Sequence, residues 1–124
     1  MSVMVFGVFD GLHDGHTYFL EQAKKRGDLI IVVARNSVVH KLKNKTPKHT
    51  EQERIEAIKE FLPEAEVAQG DMEQGSYEVV KKHQPDMICL GYDQGTLGRD
   101  LRAKIADGTL PAITLVELPH HDLN

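Results

Sequence analysis

Cysteine is almost missing from this chain. Its one copy, Cys89, excludes an internal disulfide and a cysteine-rich zinc site. Long apolar runs are missing too: none nears the roughly 18 residues that a membrane span requires. The N-terminus moves almost at once into a strand-like run and lacks the pattern of a signal peptide. The expectation is a cytoplasmic protein. Charge of one sign is scarcely in excess. Lys and Arg number 15 against 19 Asp and Glu, for a net −4, which offers no general attraction to nucleic acid. Repeats, linkers and low-complexity tracts are absent. The 124 residues suit one domain with one core, and 40% hydrophobic with 27% charged residues is the balance of a globular chain.

What is present is an alternation of strand-like and helix-like segments. Apolar or β-branched runs stand at Val3–Phe6, Leu29–Ala34, Ala65–Ala68, Met87–Leu90 and Ile113–Leu118. Helical patterns occupy Thr17–Arg26, Ser37–Leu42, a segment opened by the capping box Thr50-Glu51-Gln52-Glu53 and closed before Pro63, Ser76–His83, and Thr96–Ala106. Strands separated by helices imply βαβ units and a parallel sheet covered on both faces. The predicted fold is α/β: a single-domain, Rossmann-like, doubly wound, parallel five-stranded sheet. Ligands of such sheets bind beyond the carboxyl ends of the strands, where strand order reverses. The loops after the first and fourth strands are therefore expected to meet at one rim.

The loop after the first strand is Gly7-Val8-Phe9-Asp10-Gly11-Leu12-His13-Asp14-Gly15-His16. It stands where a strand turns into a helix. Backbone N–H groups at a helix N-terminus attract anions, glycines let a ligand approach the backbone, and two imidazoles can donate to phosphate oxygens. A phosphate site is the physical reading; a glycine-rich turn with two incidental surface histidines is the bland one. After the fourth strand comes Gly91-Tyr92-Asp93-Gln94, in which the carboxylate of Asp93 could accept from ribose hydroxyls or help place a metal. Between them, Lys41 to Lys48 places four lysines in eight residues, either as a solvated basic loop or as mobile charge for a polyphosphate. Asp10 reads as a turn-holding carboxylate or as help for Mg²⁺, and Arg54 as an exposed helix arginine. His40, His49 and His83 have no partners at ligand spacing and read as surface residues; His120-His121-Asp122 is a weak metal pattern, since adjacent side chains of an extended chain face opposite ways.

His13-Asp14-Gly15-His16, with the Gly7–Asp10 segment before it, resembles the HxGH signature of the nucleotidyltransferase superfamily, in its cytidylyltransferase-like branch. Gly91-Tyr92-Asp93 resembles the G-x-D element of the same enzymes. The resemblance runs over nearly the whole chain. The combination of Ala34-Arg35-Asn36-Ser37-Val38-Val39, Leu90-Gly91-Tyr92-Asp93-Gln94 and Leu118-Pro119 is most similar to the archaeal-type FAD synthase (FMN adenylyltransferase) group, with glycerol-3-phosphate cytidylyltransferase as its near neighbour.

This resemblance implies one nucleotidyltransferase domain over residues 1–124. It implies transfer of a nucleoside monophosphate from ATP or CTP to a phosphorylated small-molecule acceptor, with Mg²⁺ and release of pyrophosphate. The expected catalytic residues are His13 and His16, with Lys43 or Lys45. The expected nucleotide-binding residues are Gly7, Val8, Phe9, Asp10, Gly15, Gly91, Tyr92, Asp93 and Gln94. Phe9, Tyr92 and Leu97 are the candidates for an apolar surface under a flavin ring. A homodimer is expected from the family. The family's late R-T-x-x-[ST]-like element finds no match here, where the sequence stops at Asn124. An absent helix, an incomplete chain or a partner's contacts would each account for that. A nucleotide-binding module without turnover is the alternative of a different class.

Overall fold

Five of the apolar runs become five parallel strands: β1 (Ser2–Gly7), β2 (Asp28–Val33), β3 (Glu66–Gln69), β4 (Met87–Leu90) and β5 (Thr114–Glu117). They lie in the order β3-β2-β1-β4-β5 in this computed structural model, which describes residues 1–43, 47–72 and 75–118, over 40–43 by the backbone alone. The helices are α1 (Asp14–Lys24), α2 (Asn36–Lys43), α3 (Glu51–Phe61), α4 (Glu78–His83) and α5 (Gly95–Ala106). The expected doubly wound α/β sheet is the observed one.

Alternation along the strands divides the core in two. Val3 and Val5 face one layer, with Leu20 and Ala23 of α1 and Ile58 of α3. Met4 faces the other, with Val79 and Val80 of α4 and Leu101 of α5. The chain winds outward on one face from β1 to β3, then crosses and winds outward on the other through β4 to β5. The reversal lies between β1 and β4, whose register holds only at Val3↔Met87 and Met4↔Ile88. Beyond that the two strands part, and their following loops open at the switch point.

Local signals set most helix ends. Thr50 and Glu53 form the reciprocal capping box, and α3 closes at Leu62, ahead of Pro63. α4 begins two residues later than the sequence suggests. Tyr77 stands at its N-cap in the left-handed region, with φ of 53°, and the Asp71 carboxylate accepts from Val79 N–H instead.

Candidate active site

Phe9 shapes the loop after β1. It adopts a left-handed φ of 53° and turns its ring back beneath the strand end, where it is 3% exposed and part of the core. A Cβ on Gly7 would stand 2.6 Å from that ring, so only glycine fits there. This corrects one expectation. The Phe9 side chain is packing and cannot form a platform for a substrate ring.

The two histidines of the motif have different tasks. His13 is the N-cap of α1, and its Nδ1 accepts from Gly15 N–H at 3.1 Å and His16 N–H at 3.4 Å. A nitrogen that accepts carries no proton, so the His13 proton resides on Nε2, as a donor. The ring folds over the helix start because Gly15 has no Cβ; one there would lie 3.0 Å from His13 Cε1. Two of the helix N–H groups expected to face an anion are thus taken by the His13 ring, and imidazole becomes the foremost donor. His16 stacks on His13 with centroids 3.8 Å apart and meets the Phe9 ring edge-on at 5.4 Å. Among the described residues its buried Nδ1 has no partner at full hydrogen-bond geometry. Burial, then the nearby His13, push the His16 imidazole below its ordinary value, while the Gly11 carbonyl and the Asp93 carboxylate pull the other way.

Asp10 and Arg54 anchor this loop from behind. Asp10 accepts from Lys48 N–H at 2.7 Å and from His49 N–H and Nδ1 at 2.9 Å each. Burial alone would raise its carboxyl, but these donors outweigh it and hold it at about 2. Arg54 was expected on an exposed helix face and is 1% exposed. Its guanidinium donates to the Val8 carbonyl at 2.8 Å, the Ala34 carbonyl at 2.9 Å and Asn36 Oδ1. One buried side chain therefore joins the ends of β1 and β2 to the start of α2. Glu51 completes the join, accepting from Asn36 N–H at 2.6 Å and from Gln69 Nε2 at 2.8 Å.

Across the switch point, Gln94 spans the gap where β1 and β4 diverge. Its Oε1 accepts from Gly91 N–H and its Nε2 donates to the Phe6 carbonyl, both at 2.8 Å. Tyr92 is 68% exposed and Asp93 is exposed beside it, close enough to act on His16. The two motifs do meet at one rim.

A family model described as cytidylyltransferase-like matches residues 4–104. The FAD synthase of Pyrococcus abyssi is 38% identical over 97% of this chain and 81% of its own length. That of Methanosarcina barkeri is 40% identical over 94% and 82%. A crystal structure of a lipopolysaccharide core biosynthesis protein from Thermoplasma volcanium superposes with a TM-score of 0.87, at 33% identity and 98% coverage of both chains. This chain belongs to the cytidylyltransferase-like family. It is a nucleotidyltransferase.

Several residues expected in the site of this cytidylyltransferase-like chain stand elsewhere or beyond description. Lys43 ends α2, with its side chain outside the described residues, and Lys45 lies wholly outside them. So do His120, His121 and Asp122, and the side chain of His40. His49 and His83 do have partners, supplied by the fold rather than by sequence spacing. His49 Nδ1 pairs with Asp10 at 2.9 Å, and His83 Nδ1 with Glu66 at 3.1 Å. Leu97 packs against the core of the α4 and α5 layer. Among the described residues no group of three or more His, Cys, Asp or Glu side chains could hold a metal, and no helix is long and apolar enough to cross a membrane. Arg54 and Glu51 were missed as site-building residues. The capping box placed the helix but gave no sign of which face turns inward.

Proposed function

We propose that residues 1–124 act as one FMN adenylyltransferase domain, moving AMP from ATP onto the phosphate of FMN to give FAD and pyrophosphate. The observation that carries this reading is the similarity to archaeal FAD synthases along 97% of the chain. The rim geometry supports the chemistry. An FMN phosphate oxygen attacks the α-phosphorus in line, the α–β bridging P–O bond breaks, and pyrophosphate leaves with the electron pair. Such transfer depends on positioning and charge stabilisation more than on covalent help. His13 donates from Nε2–H to a phosphate oxygen. His16 adds one N–H from a ring kept neutral. Lys43 or Lys45 brings mobile positive charge to the polyphosphate.

Asp93 accepts from the ribose, and the exposed Tyr92 ring offers a face for stacking. Gly7, Val8, Phe9, Asp10, Gly15, Gly91 and Gln94 shape the nucleotide site through the backbone and the anchors described above. Mg²⁺ fits as a cation that arrives on the triphosphate, because Asp10 is committed to Lys48 and His49 and no other described cluster suits a metal. Bound there, it neutralises phosphate charge. The reading includes a cytoplasmic location, where nucleoside triphosphate is at hand. It also includes a homodimer, since a small domain gains stability by association; light scattering that gives a monomer at micromolar concentration refutes that part.

The name of the Thermoplasma protein, which speaks of lipopolysaccharide core biosynthesis, favours a second reading, in which the acceptor is not a flavin. Two reactions run side by side separate them: ATP with FMN, and CTP with glycerol 3-phosphate. FAD and pyrophosphate from the first support the proposal. Product from the second alone overturns the flavin acceptor. Product from neither, with nucleotide still bound, favours a binding module.

A further inference from the structure

His49 precedes the N-cap of α3, with a side chain 47% exposed. It is fixed at two points on one carboxylate. Its backbone N–H and its Nδ1 each lie 2.9 Å from Asp10 Oδ1. Its Cε1 is 3.7 Å from the place where a Cβ on Gly11 would stand, so the ring edge lies along the loop that leads to His13. An ionised carboxylate only accepts, so the proton of the His49–Asp10 bond sits on Nδ1. Nε2 is left without a hydrogen-bond partner among the described residues.

We propose that His49 is a third imidazole of the phosphate site, oriented by Asp10 and donating from Nε2–H to a substrate phosphate oxygen. The inference rests on the nucleotidyltransferase reading above. With Nδ1 protonated, a neutral ring would turn a lone pair toward the phosphate. Donation therefore needs the imidazolium, whose two N–H groups then point to two anions, the Asp10 carboxylate and the phosphate. Such doubly charge-assisted geometry holds the ring still. Among the described residues, the charged groups about His49 are Asp10 from the loop after β1 and Glu53 from the first turn of α3, with Lys48 beside it in the chain. Gly11, with φ of +83°, leaves open the approach that a side chain would fill.

The test uses two substitutions. His49→Asn keeps a donor where Nδ1 stood, and His49→Gln keeps one where Nε2 stood. Inorganic pyrophosphate is titrated into each protein by calorimetry, with the thermal midpoint and the KM for ATP and for FMN measured alongside. His49→Asn is expected to lose about tenfold in pyrophosphate affinity at an unchanged midpoint, while His49→Gln stays within about threefold of the parent. A raised KM for ATP assigns the contact to the nucleotide, and a raised KM for FMN to the acceptor. The inference is overturned if both variants match the parent in pyrophosphate affinity and in the KM for ATP and for FMN, or if His49→Asn behaves like the parent while His49→Gln loses its midpoint, which is the signature of a structural clasp. If the parent makes FAD and both variants match it, His49 alone is dismissed. If His49→Asn weakens pyrophosphate binding but the parent makes no FAD, the flavin acceptor fails and the phosphate contact stands.

Discussion

The ring of His13 lies on that of His16, with 3.8 Å between centroids and 21° between planes. Two stacked imidazoles resist carrying charge together, and His16, the more enclosed, is the one pushed toward neutrality. His13 meanwhile is tied to the helix start through Nδ1. The pair therefore divides its work: His13 caps the helix through Nδ1 and keeps Nε2–H to donate, and His16 adds a second donor beside it.

That division predicts different outcomes for two alanine variants. His16→Ala removes a preorganised donor and is expected to cost roughly 10²–10³ in rate with little change in thermal midpoint. His13→Ala removes the donor and the N-cap together, adding a stability loss of about 1 kcal/mol. Measuring kcat and the midpoint for both tests this. Equal midpoints for the two variants, or His16→Ala activity within a few-fold of the parent, contradicts it.

Arg54 gives a prediction about the frame. Arg54→Met keeps the aliphatic volume but leaves the Val8 and Ala34 carbonyls buried without their donor. An unpaired buried group costs about 1–3 kcal/mol, and two carbonyls share this one. Chemical denaturation should show a loss in that range or above, with transfer activity lost beyond what unfolding explains, because Val8 leads directly into the histidine loop. Activity that falls only in step with the folded fraction would reduce Arg54 to a packing residue.

The strands and the meeting of the two loops at one rim were legible because they follow from local pattern and from the rule for open parallel sheets. Apolar runs, a capping box and glycines at turns act over a few residues. Arg54 was not legible, since an arginine in the first turns of a helix faces solvent unless something distant accepts from it. Here the acceptors are the Val8 and Ala34 carbonyls, which are 46 and 20 residues away in sequence. Phe9 misled for a related reason. Its place near the strand end suggested an apolar surface for a flavin ring, whereas a left-handed backbone turns it into the core.

Asp10 predicts a pH dependence of stability. Its carboxyl is lowered from 3.8 to about 2 in the folded chain. A lowered value means that the ionised form favours the fold. The contribution is complete above the unfolded value of 3.8 and disappears as pH falls through about 2. Asp10→Asn should therefore be less stable than the parent at neutral pH, with the gap closing as pH falls over that window. Urea titrations at stepped pH measure it. A gap that stays constant down to the lowest pH would show that the carboxylate's charge has no part in holding Lys48 and His49.

Asp93 and Gln94 are neighbours with opposite duties, and that contrast makes the last prediction. Gln94 uses both ends of its amide to join Gly91 to the Phe6 carbonyl, so little of it remains for a ligand. Asp93 is exposed at the mouth of the same gap. Asp93→Ala should weaken nucleotide binding at an unchanged thermal midpoint, because only an outward-facing acceptor is removed. Gln94→Ala should lower both, because the splint across the parting strands is lost and Phe6 O and Gly91 N lose a partner. Each such lost bond is worth about 0.5–1.5 kcal/mol, enough to shift the midpoint of a domain this size by several degrees. Calorimetric titration of ATP and CTP, beside a thermal scan, reads both quantities. Unchanged affinity for both nucleotides in Asp93→Ala would remove that residue from the site. Weakened affinity in Gln94→Ala at an unaltered midpoint would make the glutamine a direct ligand and overturn the division of roles.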